Sequence, residues 1–126
     1  MVTIPATTKA LGDAAEARAL AHLARAGLVL VQRNYRVARG PRARGGEVDL
    51  VMRDRDGTLV FVEVRARRDD RFGCAAASIG AGKRQRVVFA ARHFLRTLPN
   101  PPPCRFDVVD VDAESIEWLR AAFDAS

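Results

Sequence analysis

Near the middle of the chain, apolar and polar residues alternate in two closely spaced runs. In residues 46–53, Val48, Leu50 and Met52 alternate with Glu47, Asp49, Val51 and Arg53; in residues 59–67, Val60, Val62 and Val64 alternate with Leu59, Phe61, Glu63, Arg65 and Arg67. Each run predicts a strand with one wholly apolar face. Arg55-Asp56-Gly57 lies between them, and Asp-Gly flanked by such runs is a strong hairpin signal. Loop length then sets the register. A two-residue turn at Asp56-Gly57 places Asp49 opposite Val64 and Leu50 opposite Glu63, mixing charge into both faces. A three-residue loop with Gly57 in the left-handed position places Val48 opposite Val64, Leu50 opposite Val62 and Met52 opposite Val60, an apolar face of the kind that fixes register.

In that second register Asp49 faces Glu63, and Glu47 faces Arg65. Facing residues hold their Cβ atoms roughly 4.5–5.5 Å apart, where like charges repel. A divalent cation between the two acids removes the repulsion. Mg²⁺ takes carboxylate oxygens while keeping several waters, and can polarise a phosphoryl oxygen and activate a water. A surface hairpin on which Glu47 pairs with Arg65 while Asp49 and Glu63 face water fits the pattern equally well.

Helical periods flank the hairpin. Residues 9–26, rich in Ala and Leu, predict a helix stopped by Gly27. Glu16 lies on its stripe with Leu20 and Leu23, so it either escapes to solvent at the stripe's edge or reaches into a site. Residues 28–31 are an apolar run of strand length that continues toward Tyr35. Residues 81–98 predict a second helix with the stripe Val87, Val88, Ala91, Phe94, Leu95 and Leu98. Lys83 shares a face with Val87, Ala90 and Phe94. Lys83, Arg84 and Arg86 in the first turns oppose the helix dipole, a misfit that phosphate at that end would relieve. Prolines at 99 and 101–103 end the helix, residues 104–111 read as a strand, and residues 114–123 fit either a helix (Ile116, Leu119, Phe123) or a short strand (Ile116, Trp118).

With 126 residues the chain is a single domain, 1–126, in which residues 1–8 form an extended or disordered N-terminus. Its 21 Lys and Arg against 15 Asp and Glu give a net charge of +6, which favours an anionic partner. Nucleic acid fits better than a membrane surface, because no basic amphipathic helix carries large aromatic anchors. Arg39, Arg42 and Arg44, within a Gly- and Pro-containing stretch, serve either as an arm for backbone phosphates or as a solvated loop. No apolar run approaches about 18 residues, and the first residues lack a signal peptide's basic and apolar regions, so a cytoplasmic location is expected. Cys74 and Cys104 show neither disulfide nor zinc spacing, and His22 and His93 are isolated.

Taken in order, Gly46-Glu47-Val48-Asp49-Leu50, Phe61-Val62-Glu63-Val64-Arg65-Ala66-Arg67, Arg71-Phe72-Gly73, Lys83 and Arg105-Phe106-Asp107 resemble the motif series of the YraN family. That family is similar to the PD-(D/E)XK, or restriction-endonuclease-like, nucleases, and closest among them to the archaeal Holliday junction resolvases. The resemblance implies an α/β fold with a central mixed sheet of four or five strands, the antiparallel hairpin at its middle, helices on its faces, and a strand at 116–119. It implies a metal-dependent endonuclease acting on DNA, including branched or structured DNA, with Mg²⁺ or Mn²⁺ held by Asp49 and Glu63. Glu16 and Glu47 would support the metal or its water, and a homodimer would be the assembly.

The chain departs from the nuclease pattern at Arg65, where a lysine is expected. Arginine stays charged and presents a planar fork, so it can stabilise a transition state without giving up a proton. Lys83 either supplies the missing ammonium from the following helix or is an ordinary solvated lysine near a helix start. Nucleic-acid contacts are expected from Arg39, Arg42, Arg44, Lys83, Arg84 and Arg86. The alternative is a nucleic-acid-binding protein that keeps the nuclease scaffold without turnover.

Overall fold

The computed structural model describes residues 8–41, 45–66 and 80–125. The N-terminal segment 1–7, Arg42, Arg44, Arg67, the Arg71-Phe72-Gly73 motif and Cys74 lie outside the described residues. Helix α1 spans Thr8–Arg25 and α2 spans Ala81–Arg96; the strands are β1 (Val29–Val37), β2 (Gly46–Arg53), β3 (Leu59–Ala66), β4 (Cys104–Val111) and β5 (Ile116–Phe123). They form one mixed sheet in the order β1-β2-β3-β4-β5. β3 and β4 are parallel and every other neighbouring pair is antiparallel. A parallel pair needs a long crossover, which α2 supplies. The expected mixed α/β sheet with the hairpin at its middle is therefore what the chain forms.

The hairpin takes the three-residue loop. Asp54 N–H donates to Thr58 O at 2.9 Å, Gly57 has φ of 91°, and Leu50, Val51, Met52 and Arg53 face Val62, Phe61, Val60 and Leu59. Alternation then sorts the side chains onto two faces. Leu50, Met52, Val60 and Val62 pack with Ala15, Ala19 and Leu23 of α1, while Val51, Leu59 and Phe61 pack with Val87, Ala90, Ala91 and Phe94 of α2. A sheet buried on both faces explains why its central strands are apolar at nearly every position.

Helix α1 ends as expected at Gly27, whose φ of 100° lets Leu28 N–H return to Leu23 O. β1 runs on well past Val31. The ambiguous segment after residue 114 is a strand, Ile116–Phe123, interrupted by a register shift opposite Phe106–Val108 and by Ala121 with φ of 50°. Asp107, fully buried on β4, holds that irregular edge in place. It accepts from Trp118 Nε1 and Ala121 N–H at 2.9 Å each and from Arg105 Nε at 3.1 Å, and Arg105 reaches on to Asp54 at 2.7 Å. The Arg105-Phe106-Asp107 motif thus ties β5 and the hairpin loop to β4. No helix among the described residues is long and apolar enough to cross a membrane.

Candidate active site

β2 and β3 part company where their acidic residues fall. The ladder ends at Leu50 opposite Val62. Beyond it the Val64 N–H donates to a side chain instead, Asp49 Oδ2 at 2.8 Å. β2 leans onto α2 at its start, where a Cβ on Gly46 would lie 2.6 Å from both Ala90 N and Arg86 O. Only a glycine permits that approach. The divergence corrects two sequence expectations. Val48, expected opposite Val64, packs in the cluster on the α2 side. Glu47, expected opposite Arg65, pairs with Arg36 of β1 at 3.8 Å, and Arg65 lies beside Asp110 in the β3/β4 register.

The notch between the parted strands is a cavity of about 210 Å³, lined by Glu16 of α1, Glu47 and Asp49 of β2, Glu63 of β3, and Lys83 and Arg86 of α2 among others. α1 closes it from one face and the first turns of α2 from the other. Glu63 is 4% exposed, and its Oε1 meets the Lys83 ammonium at 2.6 Å. Lys83 reaches the site because it shares the buried face of α2 with Val87, Ala90 and Phe94.

Burial, then the neighbouring Asp49 charge, pushes the Glu63 carboxyl up to about 7 against the pull of Lys83. Asp49 is likewise raised by burial and by Glu47, with the Val64 N–H and Lys83 opposing. Each carboxyl lies close enough to the other to affect its titration, so protons leave the two as a unit. Glu16 is raised by burial and by Asp49. Its Oε1 is buried without a hydrogen-bond partner and lies 3.9 Å from Arg33 Nη2. Burial first, and neighbouring acids second, thus hold three carboxyl groups of one cavity above their ordinary range, so a cation entering it competes with protons.

These donors suit one kind of ion. Among the described residues no three His, Cys, Asp or Glu side chains are grouped to hold a metal together, which does not fit the closed protein cage of structural zinc. Two facing carboxylates fit Mg²⁺ or Mn²⁺, which bind through one or two carboxylates and keep their waters.

The cavity brings together Glu16, Glu47, Asp49, Glu63, Lys83 and Arg86 from the residues expected by sequence. Arg65 is not among its lining residues, and its Nη1 is buried without a hydrogen-bond partner. Arg65 lies outside the set of residues that line the cavity, next to Asp110 in the β3/β4 register. The expected nucleic-acid residues divide likewise. Arg39 and Arg84 line a separate surface cleft with Arg92 and Arg96, and Arg39 stacks over Phe89 at 5.1 Å.

Sequence reasoning passed over Arg33, Asn34 and Arg36 of β1, which line a cleft with Glu16 and Glu47. The available signal was Asn34, a residue type that favours left-handed backbone, placed inside a strand.

Fold and cavity together define a small α/β domain with an acidic site at the splayed end of its central hairpin. The chain belongs to the uncharacterised protein family UPF0102, the YraN family, whose profile matches residues 15–111 and so takes in the whole cavity from Ala15 onward. It is 68% identical over 120 residues to a UPF0102 protein of Methylibium petroleiphilum, covering 95% of this chain and 98% of that one. A UPF0102 protein of Paracidovorax citrulli is 64% identical over 119 residues, covering 94% of this chain and 86% of the other.

Proposed function

We propose that this protein is a metal-dependent phosphodiesterase acting on DNA, with Asp49 and Glu63 holding Mg²⁺ or Mn²⁺. The observation that carries the reading is the convergence of Glu16, Asp49, Glu63 and Lys83 from four different elements on one cavity. The bound ion would polarise a phosphoryl oxygen and make its water acidic. Asp49 is held in place by the Val64 N–H, and Glu63 by Lys83. Lys83 Nζ is partly exposed, and its ammonium can turn to the charge that develops on a phosphate as it is attacked. Glu16 Oε1, buried and without a hydrogen-bond partner, is the atom best placed to accept a proton from water. The net charge of +6 suits a polyanionic substrate.

A DNA-binding protein without turnover is the second reading, favoured by Arg65 at the position where the nuclease resemblance calls for lysine. A cleavage assay separates the two. Linear duplex, single-stranded and four-way-junction DNA are incubated with Mg²⁺ or Mn²⁺ and either wild type or Asp49→Asn. Cleavage of any substrate by wild type alone supports the phosphodiesterase. Binding with no cleavage of any substrate by wild type favours the second reading.

A further inference from the structure

β1 does not keep a strand's alternation. Asn34 has φ of 50° and lies between the pairs Arg33–Leu50 and Tyr35–Val48, level with Asp49. In a regular strand residues 33 and 36 project from opposite faces. Here the left-handed residue between them turns the strand, and Arg33, Asn34 and Arg36 all line one cleft with Glu16 and Glu47. That cleft shares Gly12, Glu16 and Glu47 with the carboxylate cavity, so the two are continuous. Asn34 borders the cleft together with Glu16, which ties the turn to the site.

The two guanidinium groups are held only loosely. Arg33 Nη2 is 3.9 Å from Glu16 and Arg36 Nη2 is 3.8 Å from Glu47, with the arginine side chains 41% and 72% exposed. Ion pairs of that length and exposure are weak. An arginine fork pairs more strongly with a phosphate, to which it donates two parallel hydrogen bonds.

We propose that Arg33 and Arg36, set on one side of β1 by the left-handed Asn34, clamp the DNA backbone on the outer side of the carboxylate cavity. The clamp rests on the reading of that cavity as a DNA phosphodiesterase site. It places phosphate binding across β1, away from the Arg39 and Arg84 cleft.

The test is binding of a fluorescein-labelled DNA duplex, followed by anisotropy in Ca²⁺ over a range of salt concentrations, for wild type, Arg33→Ala/Arg36→Ala, Asn34→Gly and Asn34→Val. The double arginine variant changes only exposed side chains and should lose about 0.9 from the log K against log salt slope for each arginine. Asn34→Gly accepts the left-handed backbone and should keep the wild-type slope, whereas Asn34→Val resists it and should lose slope as the double variant does. A wild type that does not bind, or a double variant with the wild-type slope, overturns the clamp. A folded Asn34→Val with the wild-type slope overturns the role of the turn; if that variant does not fold, the other two carry the test. Cleavage in Mg²⁺ is read separately. A reduced slope with no wild-type cleavage keeps the clamp and removes the phosphodiesterase, and cleavage with an unchanged slope does the reverse.

Discussion

Glu63→Gln should change the pH dependence of stability in the metal-free protein more than any other single substitution at the site. The folded Glu63 carboxyl is raised from 4.5 to about 7, so between those values the folded state binds more protons than the unfolded one. Stability must therefore fall as pH rises through that window, and level off above about pH 7. At 1.36 kcal/mol for each tenfold change in proton affinity, the full deficit is about 3 kcal/mol. Glutamine does not titrate, so the variant lacks this deficit. Any constant cost of fitting the amide beside Lys83 is the same at every pH. The melting temperature of Glu63→Gln relative to wild type should consequently climb by about 4–12 °C between about pH 5 and about pH 8.5, taking roughly 4 °C per kcal/mol for a domain of this size. Thermal melts of both proteins in EDTA across that range measure it. Mg²⁺ should then narrow the gap at high pH by stabilising the wild type through mass action. Melting temperatures that run parallel at all pH values would refute the raised carboxyl of the buried Glu63.

Other substitutions test separate parts of the site. Gly46→Ala puts a Cβ 2.6 Å from the α2 backbone and should lower stability by about 1–3 kcal/mol in a denaturant titration; an unchanged midpoint would remove the close approach that opens the notch. If the proposed cleavage holds, Glu16→Gln should lower its single-turnover rate by about 10²–10⁴-fold and abolish the rise in rate expected of wild type as pH passes through the raised Glu16 carboxyl. Lys83→Ala should cost cleavage about 10²–10³-fold, whereas Arg65→Lys should leave the rate unchanged because Arg65 does not line the cavity; the opposite ranking of those two rates would return the transition-state role to β3.

The hairpin could be read from sequence as far as Leu50 because loop length and apolar matching agree on one register, and the ladder realises it. What the alternation could not reveal is where pairing stops. Beyond that point β2 lies against α2 at Gly46, a contact between elements far apart in sequence. Extending an ideal ladder through Asp49 is what led to the expected Glu47–Arg65 pair. Lys83 was legible for a local reason, its place on the buried stripe of α2. Arg33 and Arg36 were hidden because a period of two assigns them to opposite faces, and the left-handed Asn34 undoes that period. Ala121 obscured β5 in the same way.

Binding of Mn²⁺ to wild type and to Asp49→Asn, by calorimetry in two buffers of different ionisation enthalpy at about pH 6.5, tests the carboxylate pair most directly. Because burial and the Asp49 charge raise the Glu63 carboxyl to about 7, a metal must displace a proton from it at this pH; wild type should bind one Mn²⁺ with release of up to about one proton, and Asp49→Asn should not bind in the same concentration range. No binding by wild type, or equal binding by Asp49→Asn, would contradict a metal centre built on the splayed end of the hairpin.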